Sequence, residues 1–101
     1  MEAAMEFLAQ TDERYAAEKA DLLRCEILAK RTRARAFLEF GAEKVSVEHR
    51  KAAAEAHTDV IGADDALVAA TLAFEALKAR RSRAEILIDV WRSVEASRRR
   101  V

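Results

Sequence analysis

From Leu67 to Trp91 the residues Leu67, Ala70, Phe74, Leu77, Arg81, Ala84, Ile88 and Trp91 recur at alternating intervals of three and four. That interval keeps one stripe of a helix facing a second helix along its whole length, so the pattern is a coiled-coil-like seam. Nothing elsewhere in the chain opposes helix formation. There is no proline, and the glycines are Gly41 and Gly62 alone, too few for the repeated turns of an all-β fold. The composition is rich in Ala, Glu, Arg and Leu, the strong helix formers. At 101 residues the chain reads as a single all-α domain covering 1–101, an elongated antiparallel hairpin or bundle of a long helix, a short helix and a long helix.

The first helix is expected from Glu2 to about Phe40, with Gly41 in the place of a left-handed C-terminal cap. Ser46 is placed to cap a second helix starting at Val47, which runs through Ala52-Ala53-Ala54 toward His57-Thr58-Asp59. There Thr58 or Asp59 is a candidate cap for the third helix, and Gly62 is a second weak point. Counted backward, the seam register continues through Ala63, Val60, Ala56 and Ala53, so helices two and three read either as one kinked rod or as two segments.

Twenty-three alanines leave only 29 large apolar side chains, which is a thin core for a compact monomer. The third helix nevertheless carries a second stripe, Val68, Leu72, Ala79, Ile86, Val90 and Val94. At about 100° per residue it projects roughly 140 to 180° away from the seam, so one partner helix does not cover both. The first helix repeats the theme, with Leu8, Tyr15, Leu22, Ala29 and Ala36 on one line and Ala16, Ala20, Leu23, Ile27, Ala34 and Phe37 on another. Polar Asp12, Lys19, Glu26 and Arg33 run between them. Candidate core or oligomer-seam residues are therefore Leu67, Phe74, Leu77, Ile88 and Trp91 for one stripe and Leu72, Ile86, Val90 and Val94 for the other. Burial of the second stripe on a copy of the chain makes a homo-oligomer, in the first place a dimer, the expected assembly.

The chain is neutral, with 18 basic and 18 acidic side chains, but the charges are segregated. Residues 1–29 and 52–76 are net acidic; residues 30–51 and 77–101 are net basic. Antiparallel packing of the first and last helices sets acid against base at both ends, whereas parallel packing stacks like charges. The arginine-rich clusters also contain the candidate nucleic-acid contacts Arg31, Arg33, Arg35, Arg80, Arg83, Arg98, Arg99 and Arg100, since arginine forks onto phosphate. A neutral total and few aromatics for base stacking argue for helix pairing as their main role, with single-stranded DNA as the nucleic acid to test. Glu55, Asp59, Asp64, Asp65 and Glu75 form a candidate acidic face for a protein partner.

No catalytic constellation is legible. His49 and His57 lie eight residues apart, roughly 12 Å along a helix, too far to share one metal ion. Asp64-Asp65 sit near the start of the third helix, where they offset its positive end. Ser82, Ser93 and Ser97 have no base beside them, and the phosphate-binding glycine loops are absent. Cys25 is alone and reads as a small buried hydrophobe in a reducing compartment. Arg81 within the seam reads as a register-setting polar residue or as the seam's edge. Trp91 reads as core filler ahead of an exposed anchor. These features predict a protein that is not an enzyme and has no cofactor or metal. The acidic start and the lack of a long apolar run predict no signal peptide, no membrane span and a cytoplasmic location.

The stretch Val90-Trp91-Arg92-Ser93-Val94-Glu95-Ala96-Ser97-Arg98-Arg99 resembles the ending of a group of small all-helical phage proteins encoded near recombination or replication genes. The layout is similar over the whole chain: a long helix, the basic-aromatic stretch Arg33-Ala34-Arg35-Ala36-Phe37-Leu38, an Ala-rich segment and a long final helix. Relatives carry a proline near the break, where this chain has His57-Thr58-Asp59. The resemblance implies an accessory role in phage DNA recombination or replication, in the host cytoplasm, through a protein partner whose identity no motif encodes. The rival readings are an anti-CRISPR-like anti-defence inhibitor binding a host complex through the acidic face, and a structural or assembly component.

Overall fold

The computed structural model describes residues 1–39 and 46–100, and it is all-α. Helix α1 spans Glu2–Glu39, α2 spans Val47–Glu55 and α3 spans Thr58–Arg99. The expected cap at Gly41 lies outside the described residues. Ser46 caps α2 as its sequence position predicts: its extended backbone (φ −64°, ψ 156°) brings Oγ to accept from the His49 N–H at 3.2 Å.

Helices α2 and α3 are two segments, not one kinked rod. Ala56 is the C-cap of α2 and is exposed, so the seam register does not pass through it; Ala54 takes the core position instead. The cap of α3 is neither Thr58 nor Asp59. His57 fills it, its Nδ1 accepting from the Asp59 N–H at 3.1 Å, while Nε2 lies 3.1 Å from Glu39 Oε2. An imidazole that accepts at Nδ1 donates at Nε2, so this geometry fits the Nε2–H tautomer. Gly62 is no break either, being the fifth residue of α3.

The chain divides into two compact units, Met1–Lys19 with Ala73–Val101, and Ala20–Leu72. In the first unit the start of α1 packs antiparallel on the end of α3. Ala4 clusters with Ala84 and Ile88 under Phe7 and Leu8, and Tyr15 meets Phe74 with ring centroids 5.3 Å apart. Leu77, only 1 % exposed, lies midway along the seam. In the second unit the end of α1, the short α2 and the start of α3 enclose Ala36, Ala54 and Val60, with Phe37 packed against them.

The seam of α3 follows the sequence pattern closely. Val60, Ala70, Phe74, Leu77, Ala84 and Ile88 are buried, and Ala63, Leu67 and Arg81 are half-buried. Trp91, at 43 % exposure, is not core filler: Ile88 is the last buried residue of α3. The inward line of α1 runs through Ala4, Leu8, Thr11, Tyr15, Glu18, Leu22, Cys25, Ala29, Thr32 and Ala36 at strict intervals of four and three, every one of them buried or half-buried. Two polar members turn a methyl toward the seam. Thr11 and Thr32 donate their hydroxyls to the carbonyls of Phe7 (2.6 Å) and Leu28 (2.7 Å) one turn earlier, leaving the methyl to pack.

Gly62 supplies a direct test of α3. Its φ is not positive, and a Cβ added there meets nothing within 4 Å. Gly62→Ala is expected to stabilise the protein by about 0.5–1 kcal/mol in chemical denaturation, because alanine restricts the unfolded chain without strain in the helix.

Candidate functional site

The candidate site is the surface left after the seams have been used, and its electrostatics start from two arginines that the fold consumes. Arg81 lies within the α3 seam, with its side chain 14 % exposed. It donates to the Leu8 carbonyl (3.0 Å), to Thr11 Oγ1 (2.7 Å) and to Asp12 Oδ1 (2.7 Å), and its guanidinium lies 4.9 Å from the Tyr15 ring centroid. This makes it a register-setting group, since moving either helix by one turn leaves a mostly buried cation without acceptors.

Arg33 holds the second unit together in the same manner. Its Nε donates to Glu55 Oε1 at 2.7 Å and its Nη2 to Asp64 Oδ2 at 2.9 Å, tying α1 to both α2 and α3. The hydrogen bond from Arg33 holds the Glu55 carboxyl below its ordinary range, and the same bond pushes the guanidinium of Arg33 up. Of the five acids on the expected acidic face, Glu55 and Asp64 thus serve an internal clamp, and Asp59 lies in the first turn of α3 beside the His57 cap.

The other arginines are differently placed. Arg80 lies over the Phe7 ring at 4.9 Å, and Arg98 reaches Glu95 at 3.5 Å within α3. Arg31, Arg35, Arg83, Arg99 and Arg100 are exposed and make no ion pair among the described residues. Arg31 and Arg35 stand one turn apart on α1, a spacing that presents both to one side.

The second apolar stripe is where the excess hydrophobicity lies. Leu72 is 71 % exposed, and Val68, Ile86, Val90 and Val94 are all exposed with it. On α1, Leu23 and Ile27 are exposed as well, flanking a shallow groove that Arg24 and Arg31 also line. Another open groove, of about 610 Å³, has Ala34, Phe37, Leu38 and Ala54 as its apolar lining and Lys30 and Lys51 as cationic members. Sequence reasoning missed this groove and the exposed Leu87 beside the α3 stripe. The signal for the groove was Leu38, an exposed apolar residue one turn beyond Ala34 and away from the inward line.

Among the described residues no three His, Cys, Asp or Glu side chains are grouped so as to hold a metal ion, and no helix is long and apolar enough to cross a membrane. No protein-family profile, curated protein or solved structure matches the chain.

The Arg33 clamp predicts a pH dependence. A carboxylate held below its ordinary value of 4.5 contributes stability above that value and loses it as the pH falls through the lowered one. The melting temperature of the wild type should therefore exceed that of Glu55→Gln at neutral pH. The difference should shrink as the pH falls from about 4.5 and vanish in stronger acid. A difference that does not change with pH would contradict the clamp.

Proposed function

We propose that this chain is a non-enzymatic helical protein that works by presenting the outer face of α3 to a protein partner. The observation that carries the reading is the exposure of Val68, Leu72, Ile86 and Val90 on a helix whose opposite side is already occupied by the seam. Isolated exposed apolar residues are ordinary, but a line of them at helical spacing is the mark of an interaction surface. The setting that fits is the one implied by the tryptophan-centred ending: an accessory role in phage DNA recombination or replication, in the host cytoplasm. The exposed position of Trp91 at 43 % and of the arginines that follow it supports a contact role for that ending. Arg31, Arg35, Arg99 and Arg100 supply the charge for an auxiliary contact with single-stranded DNA.

Two measurements test the two halves of this proposal. Capture from native host extract should retain a discrete partner with the wild-type protein and lose it with Leu72→Glu or Val90→Glu, while circular dichroism shows unchanged helicity. Equal capture by the wild type and the variants would show that no host protein occupies the α3 face. Titration with labelled single-stranded DNA should show affinity that falls steeply with salt, and Arg98→Ala with Arg99→Ala and Arg100→Ala should flatten that slope. No binding in low salt would remove the DNA contact and leave the protein contact standing.

A further inference from the structure

Between Val68 and Val90 the outer face of α3 is symmetric about one residue. Val68, Leu72, Glu75, Ala79, Arg83, Ile86 and Val90 are spaced by four, three, four, four, three and four, the same read in either direction from Ala79. At about 100° per residue all seven lie within roughly 40° of a line through Ala79. Val68, Ala79 and Val90 recur at intervals of eleven, a period close enough to that of a straight helix that the line does not wind off the face. All seven are exposed. Each apolar residue before Ala79 has an apolar counterpart at the same distance after it, Leu72 with Ile86 and Val68 with Val90. The charged pair at the same remove is opposite in sign, Glu75 before and Arg83 after, and neither side chain makes an ion pair among the described residues.

A face that binds an unrelated protein has no need of this symmetry, whereas an isologous contact requires it, because a two-fold axis brings residue i against j and j against i. We infer that the outer face of α3 is covered by α3 of a second copy, antiparallel, with the two-fold axis at Ala79. This rests on the reading of that face as an interaction surface and names its occupant. Leu72 then packs on the second copy's Ile86, and Val68 packs on the second copy's Val90. Glu75 pairs with the second copy's Arg83, twice by symmetry, and the small Ala79 at the crossing lets the helices approach. Parallel pairing sets Glu75 on Glu75 and Arg83 on Arg83, so the charges select the antiparallel arrangement.

Charge reversal tests the register itself. By sedimentation equilibrium the wild type should have twice the chain mass of 11.3 kDa. Glu75→Arg alone places arginine against arginine, and Arg83→Glu alone places acid against acid. Each should weaken the dimer about tenfold or more with unchanged helicity, in keeping with the cost of like charges across an interface. An equimolar mixture of the two variants contains only opposite-sign pairs in the mixed dimer and should regain the wild-type affinity. A wild type that stays monomeric at about 100 μM, a concentration at which a micromolar dimer is mostly assembled, would overturn the inference. So would single reversals that leave the dimer intact, or a mixture that fails to recover. If the wild type is monomeric but Leu72→Glu still abolishes capture of a host protein, the self-pairing fails and the proposed function survives.

Discussion

One guanidinium, that of Arg81, sets how the ends of the chain meet. It occupies a seam position that would otherwise hold a leucine or isoleucine, and it reaches three oxygens on α1 within 3.0 Å. A cation withdrawn this far from water is tolerated only where acceptors are fixed in advance. Thr11 meets the need by spending its own proton on the Phe7 carbonyl, which turns its oxygen lone pairs toward the arginine. Asp12 adds the countercharge from the seam's edge. Sliding the helices by one turn breaks all of these at once, so a single polar layer specifies both register and antiparallel sense.

This specificity matters because the rest of the packing has little of it. The buried positions are dominated by alanine: Ala4, Ala29, Ala36, Ala54, Ala70 and Ala84. Alanine seams allow close approach but interlock weakly, so neighbouring registers differ little in apolar contact. The second unit uses the same device with different parts, Arg33 joining the basic end of α1 to the acidic residues Glu55 and Asp64. The alternation of acidic and basic stretches along the chain is thereby explained by pairing within the fold. Charge at seam edges also spares the remaining hydrophobic side chains, Val68, Leu72, Ile86 and Val90 among them, which stay exposed on the outer face of α3.

The elements legible in the sequence were those that periodicity encodes. The α3 seam from Val60 to Ile88 could be read directly, as could Ser46 as a cap, because apolar spacing and capping chemistry are local. The inward line of α1 was half legible: Leu8, Tyr15, Leu22, Ala29 and Ala36 stood out, while Thr11, Glu18, Cys25 and Thr32 did not. Whether a threonine reads as apolar depends on its bond to the preceding turn, which composition does not reveal. Arg81 could be read as a charge within the seam, but its acceptors and those of Arg33 could not be read, because they lie 22 to 73 residues away along the chain. The fate of Trp91 was hidden for a related reason. The seam spacing continues past Ile88, but whether a neighbour covers the next seam position is set by tertiary packing, not by the local pattern.

Polar layers fix the pairing of alanine-rich helices, the fixed pairing turns one stripe of α3 inward, and the opposite stripe is left exposed. The most direct test of this is a double-mutant cycle on Thr11→Val and Arg81→Met, measured by denaturant unfolding at one protein concentration. Hydrogen bonds to charged groups contribute about 1.5–3 kcal/mol, so the two changes should couple by at least about 1 kcal/mol, the double variant losing less than the sum of the singles. Losses that add to within about 0.5 kcal/mol would show that Arg81 does not depend on Thr11, and that something other than this layer sets the register.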